Sequence, residues 1–479
     1  MSPVPSVSNS ITVRLELPAR VTAVSEITGA VEKAGGMVTA VDITESGTQR
    51  LQADLTIATH GDEHAGQVVA AMREVHGVEI GKVSDRVFLV HLGGKLSVES
   101  KLPIRNRDDL SLVYTPGVAK ICLAIAENPE DARRLTIKRN TVAVVTDGTA
   151  VLGLGNIGPL AAMPVMEGKA ALFKRFAGID AFPICLDTTD ADEIVSIVKA
   201  ISPGFAGINL EDISAPRCFY IERRLRDELN IPVFHDDQHG TAIVALAALR
   251  NALRVVGKRI EDVRIVMSGA GAAGTAIIRL LVKAGAQDLV VADVHGLLHA
   301  ERDDIAGGDD ENMQWIAEHT NAAGATGTLK AALRDADVFI GVSAGNILTG
   351  DDIATMATDA IVFAMANPVP EVDPNEAGKH ATVVATGRSD FANQINNVLV
   401  FPGVFRGLID AGTDQVTDDM LLAAAVALSD VVGEDERNPT YIVPSVFNPK
   451  ATKAVAQAVE QVARARSQAI GGREPHDLS

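Results

Sequence analysis

Residues 205–214, FAGINLEDIS, and residues 231–242, IPVFHDDQHGTA, each run from Val, Ile or Phe into a pair of acids, Glu211-Asp212 and Asp236-Asp237. Between them, residues 216–230, PRCFYIERRLRDELN, have the apolar spacing and the length of one crossover helix. The stretch therefore reads as strand, helix, parallel strand. Parallel strands joined by one crossover end on the same edge of a sheet, so both acid pairs should emerge at the carboxyl edge, where open α/β sheets bind ligands. Carboxylates gathered this way raise one another's pKa and need a cation or shared protons. An all-oxygen donor set favours a hard divalent ion, Mg²⁺ or Mn²⁺. The plainer alternative is that these acids are strand-end turn residues and helix caps.

Upstream, TVAVVTDG and AFPICLD give two more strands ending in Asp147 and Asp187. The connecting GLGNIGPLAAMPVMEGKAALFKRFAG is a Gly-rich loop followed by a helix that carries Lys169 early in its course. A buried Lys can serve as a general base when desolvation or neighbours lower its pKa, although a carboxylate alone pushes that pKa up. Downstream, VRIVMSGAGAAGTAIIRLLVKAG is a strand, the loop Gly269-x-Gly271-x-x-Gly274 with Ala272 and Ala273 inside it, and a helix. DLVVAD then ends in Asp293, at the distance the dinucleotide fingerprint requires. The glycines let backbone approach a pyrophosphate at the helix N-terminus. Asp293 can accept from a ribose 2′-hydroxyl and would repel a 2′-phosphate. This is a Rossmann-type nicotinamide dinucleotide domain, with NAD favoured and NADP an open alternative that His295 does not decide. Later strands, ADVFIGVS, AIVFAMAN and TVVATG, end near small or amide residues that include Asn367, and Asn396 and Asn397 precede FPG. Such amides can hold a carboxylate or a hydroxyl, or serve turns alone.

Residues 11–94 alternate as βαββαβ, with DRVFLVHLGG as the last strand, which is the ferredoxin-like arrangement of an antiparallel sheet under two helices. Residues 95–113, KLSVESKLPIRNRDDLSLV, are polar and mixed in charge and read as a linker ahead of Tyr114 and the turn at Pro116-Gly117. At 479 residues and 47% hydrophobic the chain has material for several α/β cores. A net charge of −19 and the lack of any Lys/Arg-rich run oppose nucleic acid or anionic membrane as partner. Cys122, Cys185 and Cys218 lack metal-ligand spacing and read as reduced, mostly buried thiols of a cytoplasmic protein. MLLAAAVALSDVV, the most apolar helical stretch by this reading, is too short to span a bilayer.

Two resemblances add to this. The N-terminal stretch, through LPARVTAV and the AGG after its first helix, resembles the ACT family of regulatory modules, which implies pairing with a second copy and a small-molecule effector. Residues 95–460, through VYTPGVA, VVTDG, LGLGNIGPLAAMPVMEGKAALFK, NLEDI, FHDDQHGTA, GAGAAGTA, ANPVPE and INNVLVFPG in that order, resemble malic enzyme in its shorter bacterial form. That resemblance implies Glu211, Asp212 and Asp237 as metal ligands, Lys169 as general base, Tyr114 as general acid and Asp236 as a carboxylate beside the metal. It implies Asn367 and Asn397, with Asn396, at the malate carboxylates, and Asn367 beside the dinucleotide as well. Longer members carry an Arg soon after TDG, where this chain has Thr149-Ala150, so the neutraliser of the second carboxylate is open. The implied reaction is NAD(P)-dependent oxidative decarboxylation of malate to pyruvate, in a homodimer or larger homo-oligomer. Malolactic decarboxylation to lactate and a non-catalytic metabolite sensor are the alternatives. The expected domains are 1–94 regulatory, 95–240 catalytic, 241–400 dinucleotide-binding and 401–479 C-terminal helices with a tail.

Overall fold

The computed structural model describes residues 6–469, divided between Ser97 and Val98 into two units. In the first, β1 (Ser6–Pro18), α1 (Ala23–Lys33), β2 (Met37–Ser46), β3 (Arg50–Thr59), α2 (Asp62–Arg73) and β4 (Glu79–Asp85) follow one another. The sheet has the order β2-β3-β1-β4 with every neighbour antiparallel. Alternate residues of β1 and β3, including Val13, Leu15, Leu17, Leu55 and Ile57, bury one face against Ile27 and Val31 of α1 and Val68 and Met72 of α2.

One strand expectation is corrected. The last strand is EIGKVSD, and the RVFLVH after it is a helix, α3 (Arg86–His91). A short unbroken apolar run does not distinguish strand from helix. Here Asp85 decides, because its carboxylate accepts from the backbone N–H of Val87 and Phe88 at 2.6 and 3.3 Å and caps a helix start.

The second unit opens with α4 (Arg107–Val113), α5 (Val118–Glu127) and α6 (Asp131–Leu135). The last seven residues of the expected linker are thus helical, capped where Asn106 accepts from the Asp109 N–H at 2.8 Å. Residues 107–127 are apolar enough to be weighed as a membrane span. The break at Thr115-Pro116 leaves two helices, each too short to cross a bilayer.

A parallel sheet follows from β5 (Thr141–Thr146), α7 (Pro159–Ala177), β6 (Asp180–Cys185), α8 (Ala191–Ile201), β7 (Gly207–Leu210), α9 (Arg217–Glu228) and β8 (Val233–His235), in the order β6-β5-β7-β8. β5, β7 and β8 are buried along their whole length, as strands covered on both faces are. The turn Asp236–Gly240 leads into α10 (Thr241–Val256), which is apolar on nearly every side and accordingly buried.

The second sheet combines β9 (Arg264–Ser268), β10 (Asp288–Asp293), the short β11 (Gly296–Leu297), β12 (Val338–Gly341), β13 (Ile361–Ala364) and β14 (Val383–Thr386), with α11 (Ala272–Lys283) after β9. Its order is β11-β10-β9-β12-β13-β14, parallel except for β11. Helices Phe401–Ala411, Asp418–Asp430 and Pro449–Ala469 close the described chain. One core runs through both sheets, from Val142, Phe173 and Phe234 through α10 to Ile265, Phe363 and Phe401. Of the cysteines only Cys218 is buried, Cys185 is half-buried and Cys122 is exposed, and all three are free thiols. Cys122 lies on α5, which buries none of its residues.

Candidate active site

β5, β7 and β8 are neighbours and parallel, so their carboxyl ends deliver Asp147, the Glu211-Asp212 pair and the Asp236-Asp237 pair to one edge. Ligand oxygens of Glu211, Asp212 and Asp237 lie within 4.8 Å of one another. Asp212 has φ 55°, in the left-handed region that side chains other than glycine seldom adopt. Its N–H donates to Asp237 Oδ2 at 2.7 Å, and its own Oδ2 is buried without a partner. Glu211 accepts from Asn209 Nδ2 at 2.8 Å. Asp187, the fourth strand-end acid, is exposed and outside the cluster.

Lys169 stands with Ala162, Met166, Ala170 and Phe173 on the buried face of α7. Its Nζ lies 2.5 Å from Asp236 Oδ2, 2.9 Å from Glu211 Oε1 and 4.3 Å from the centre of the Phe401 ring. Asn397 reaches the same Asp236 oxygen at 2.6 Å. The Asp236–Gly240 turn is held from α9, where the buried Glu222 accepts from His235 N, Gln238 Nε2 and His239 Nε2 at 3.3, 3.1 and 2.8 Å. Burial pushes the Glu222 carboxyl up, but the charges of His239, Arg226 and His235 outweigh it and bring it to about 2.

The electrostatics of the cluster ask for a cation. Burial first, then the charges of Asp237 and Glu211, push Asp212 up to about 9. Burial likewise raises Glu211 and Asp237 against the pull of Lys169. Lys169 itself is pushed down by burial, but the charges of Asp236, Glu211 and Asp237 win and raise it. Three acids that resist ionisation, hard oxygen donors and a buried unpartnered Asp212 oxygen fit a hard divalent ion such as Mg²⁺ or Mn²⁺.

The glycine loop lies at the carboxyl end of β9, with Gly271 as the residue before α11 and Ala272 and Ala273 in its first turn. A Cβ on Gly274 would stand 2.1 Å from the Gly269 carbonyl oxygen, so the close helix–strand approach depends on its absence. α11 packs directly on the Asp236–Gly240 turn, which sets the dinucleotide loop beside the acid cluster. Asn367 is exposed, and a Cβ on Gly153 would come within 2.3 Å of its carbonyl oxygen, so the two loops touch. Asn396 is committed locally, because its side chain accepts from the Val398 N–H at 3.0 Å. Tyr114 ends α4 and is 67% exposed. Among the described residues no hydrogen bond joins it to Lys169 or the carboxylates.

Several neighbours had no sequence signal. Arg217 of α9 bonds Asp147 Oδ2 at 2.7 Å, Thr149 Oγ1 at 3.0 Å and Ser214 Oγ at 3.2 Å. A guanidinium therefore stands against the TDGTA loop although no Arg follows TDG in sequence. Glu371 of ANPVPE accepts from the N–H of Ser343 and Ala366 at 2.9 and 3.0 Å and ties together the loops after β12 and β13. Asp293 is already engaged, with Arg302 Nη1 and Nη2 at 2.8 and 2.5 Å from its two oxygens.

Comparison with known proteins agrees with this geometry. The malic enzyme N-terminal domain matches residues 93–226, and the malic enzyme NAD-binding domain matches residues 238–464. The NAD-dependent malic enzyme of Geobacillus stearothermophilus is 55% identical over 95% of this chain and 94% of its own length. The bifunctional malic/malolactic enzyme of Bacillus subtilis is 53% identical over 77% of this chain and 90% of its own. Among solved structures, the NAD-dependent malic enzyme of Thermotoga maritima superposes with TM-score 0.75 at 48% identity, covering 79% of this chain and 99% of that one. With the family's two domains matched in order over an acid cluster and a dinucleotide loop packed side by side, the chain belongs to the malic enzyme family.

Proposed function

We propose that the protein catalyses oxidative decarboxylation of L-malate to pyruvate and CO₂ with NAD as oxidant and Mg²⁺ or Mn²⁺ as activating ion. The observation that carries this is Lys169 lodged against Asp236 and Glu211, with two further carboxylates adjoining and the dinucleotide helix packed on the same turn. Glu211, Asp212 and Asp237 would hold the metal, which when bound supplies a Lewis acid for the ketone that loses CO₂, while the nicotinamide accepts hydride. Lys169 takes the proton from the C2 hydroxyl. In the bare cluster three carboxylates keep that Lys protonated. A dication held by Glu211, Asp212 and Asp237 would offset part of the negative charge that keeps the Lys protonated, so that burial would weigh more toward its neutral form. Asp236, itself held by the Asn397 amide, fixes the position of Nζ. Asn367, Asn396 and Asn397 are assigned to the malate carboxylates, and Tyr114 to protonation of the enol.

A second reading has support from the B. subtilis relative, whose name includes malolactic activity. Incubation with malate, NAD and Mn²⁺ followed by product analysis separates the two. Pyruvate with stoichiometric NADH is expected; lactate without net NADH would replace the oxidative assignment by the malolactic one.

The protein is expected to be at least a dimer. Residues 107–127 include no buried residue, and Leu110, Leu112, Tyr114, Ile121 and Leu123 are all exposed. Exposed apolar side chains gathered on two successive helices in this way mark a protein interface. A second copy over α4 and α5 would also enclose Tyr114. Sedimentation at micromolar protein should give a dimer or larger, and Leu112→Asp with Leu123→Asp should dissociate it and lower turnover; a fully active monomer would sink the assignment.

The N-terminal unit, with its own core, is assigned to binding a small-molecule effector. Removal of residues 1–94 should leave basal turnover largely intact and abolish any effector response. Retention of a response by the truncated chain would move regulation elsewhere.

A further inference from the structure

The engagement of Asp293 bears on which dinucleotide the enzyme accepts. Arg302, which stands just ahead of the short helix Asp303–Ala306, is nearly buried, with 12% of its side chain exposed. All five of its N–H groups are taken. Nη1 donates to Asp293 Oδ1 at 2.8 Å and to the Gly296 carbonyl at 3.5 Å. Nη2 donates to Asp293 Oδ2 at 2.5 Å and to Asp304 Oδ2 at 2.9 Å, and Nε to Asp304 Oδ1 at 2.7 Å. The guanidinium has no donor left to offer a ligand.

Asp293 is not saturated in the same way. Its Oδ1 accepts from Arg302 and from the His295 N–H at 2.8 Å, whereas Oδ2 accepts from Arg302 alone. A carboxylate oxygen has two acceptor positions, so Oδ2 keeps one for a hydroxyl. The cluster of two carboxylates and one guanidinium is net negative, which is neutral toward a ribose hydroxyl and adverse to a phosphate.

We infer that Arg302 is the residue through which this enzyme discriminates between NAD and NADP, and that Asp304 is the group that keeps it from binding a 2′-phosphate. The inference rests on the assignment of Asp293 to the adenosine ribose. Asp304 occupies the Nε–Nη2 edge of the guanidinium, the planar fork that matches phosphate oxygens two at a time. Asp304 is also the accessible member, with 52% of its side chain exposed against 15% for Asp293. Its removal opens that edge and removes one negative charge while leaving Asp293 paired.

The test measures dissociation constants for NAD and NADP by titration calorimetry on the full-length protein, alongside kcat/KM for each cofactor. In Asp304→Ala the ratio of Kd for NADP to Kd for NAD should fall by about tenfold or more, a difference of about 1.4 kcal/mol. Asp304→Ala combined with Arg302→Gln should lose that gain, and Asp304→Ala combined with Arg302→Lys should recover only part of it, because an ammonium lacks the fork. Asp293→Ala separates the inference from the assignment beneath it. An unchanged ratio in Asp293→Ala would show that this strand end does not face the ribose at all. A shifted ratio there, with none in Asp304→Ala, would leave the ribose assignment standing and overturn the role of Arg302 and Asp304. A gain in Asp304→Ala that survived Arg302→Gln would overturn it equally. Thermal melting of each variant reports whether the fold is retained, and the exposed position of Asp304 makes Asp304→Ala the least disruptive of the set.

Discussion

Lys169→Ala is expected to reduce malate oxidation by roughly 10²–10⁴-fold, the usual effect of losing a positioned acid–base group. The Lys is buried, and its Nζ is the cation nearest both Asp236 and Glu211, so its loss also leaves two buried carboxylates without their counter-charge. Excess Mn²⁺ should compensate part of that structural effect without restoring oxidation. The reaction can be entered midway by supplying oxaloacetate, and metal-dependent loss of CO₂ from oxaloacetate should persist in Lys169→Ala. If oxidation and decarboxylation fell together, and the melting temperature with them, Lys169 would be a structural counter-ion. Tyr114→Phe makes the complementary case, since it keeps the ring and deletes the proton donor. Loss of CO₂ should continue while enol is released in place of on-enzyme pyruvate formation. Wild-type turnover of malate to pyruvate in Tyr114→Phe would make this tyrosine an interface residue only, consistent with its exposure on α4.

The second large effect concerns the acid cluster with divalent ions withheld. Burial, then the charges of Asp237 and Glu211, push Asp212 up to about 9 from an ordinary value of 3.8. Between those two values the folded chain holds a proton that the unfolded chain has released, so this group's contribution to stability falls as pH rises through that window. In chelator the protein should therefore melt at a higher temperature at pH 6 than at pH 8. Excess Mg²⁺ or Mn²⁺ should remove or reverse that dependence, because the ligands bind it deprotonated, and a concentration a hundredfold above Kd stabilises by about 2.7 kcal/mol. Asp212→Asn gives the test an opposite sign in each condition. It deletes a charge the bare cluster resists, so in chelator at pH 8 it should melt above the wild type. It also deletes a ligand, so in excess metal it should melt below. A shift of the same sign in both conditions would mean that Asp212 is not a metal ligand.

The amino-acid sequence by itself determined the parallel strands that end in acid, the crossover helix between the two acid pairs, and the glycine loop with Asp293 beyond it. These follow from rules that act along the chain: apolar period, right-handed crossovers and the glycines a tight phosphate turn requires. The order β6-β5-β7-β8 then set Glu211, Asp212 and Asp237 together because parallel neighbours must end on one edge. What the tertiary structure alone decided are pairings whose partners lie far apart in sequence. RVFLVH became a helix because Asp85 caps it, which its composition leaves undetermined. Lys169 has the local pattern of a solvated helical Lys, and only the packing of α7 on the sheet turns it onto carboxylates 67 residues away in sequence for Asp236. Asn397 meets Asp236 across 161 residues, and Arg217 meets Asp147 across 70. Arg302 lies only nine residues from Asp293, yet nothing in the sequence marked the two as a pair, because a saturated guanidinium depends on side-chain directions that no periodicity encodes. Backbone topology is written in local pattern, whereas the charge each site residue presents is fixed by which neighbour reaches it first within hydrogen-bond distance.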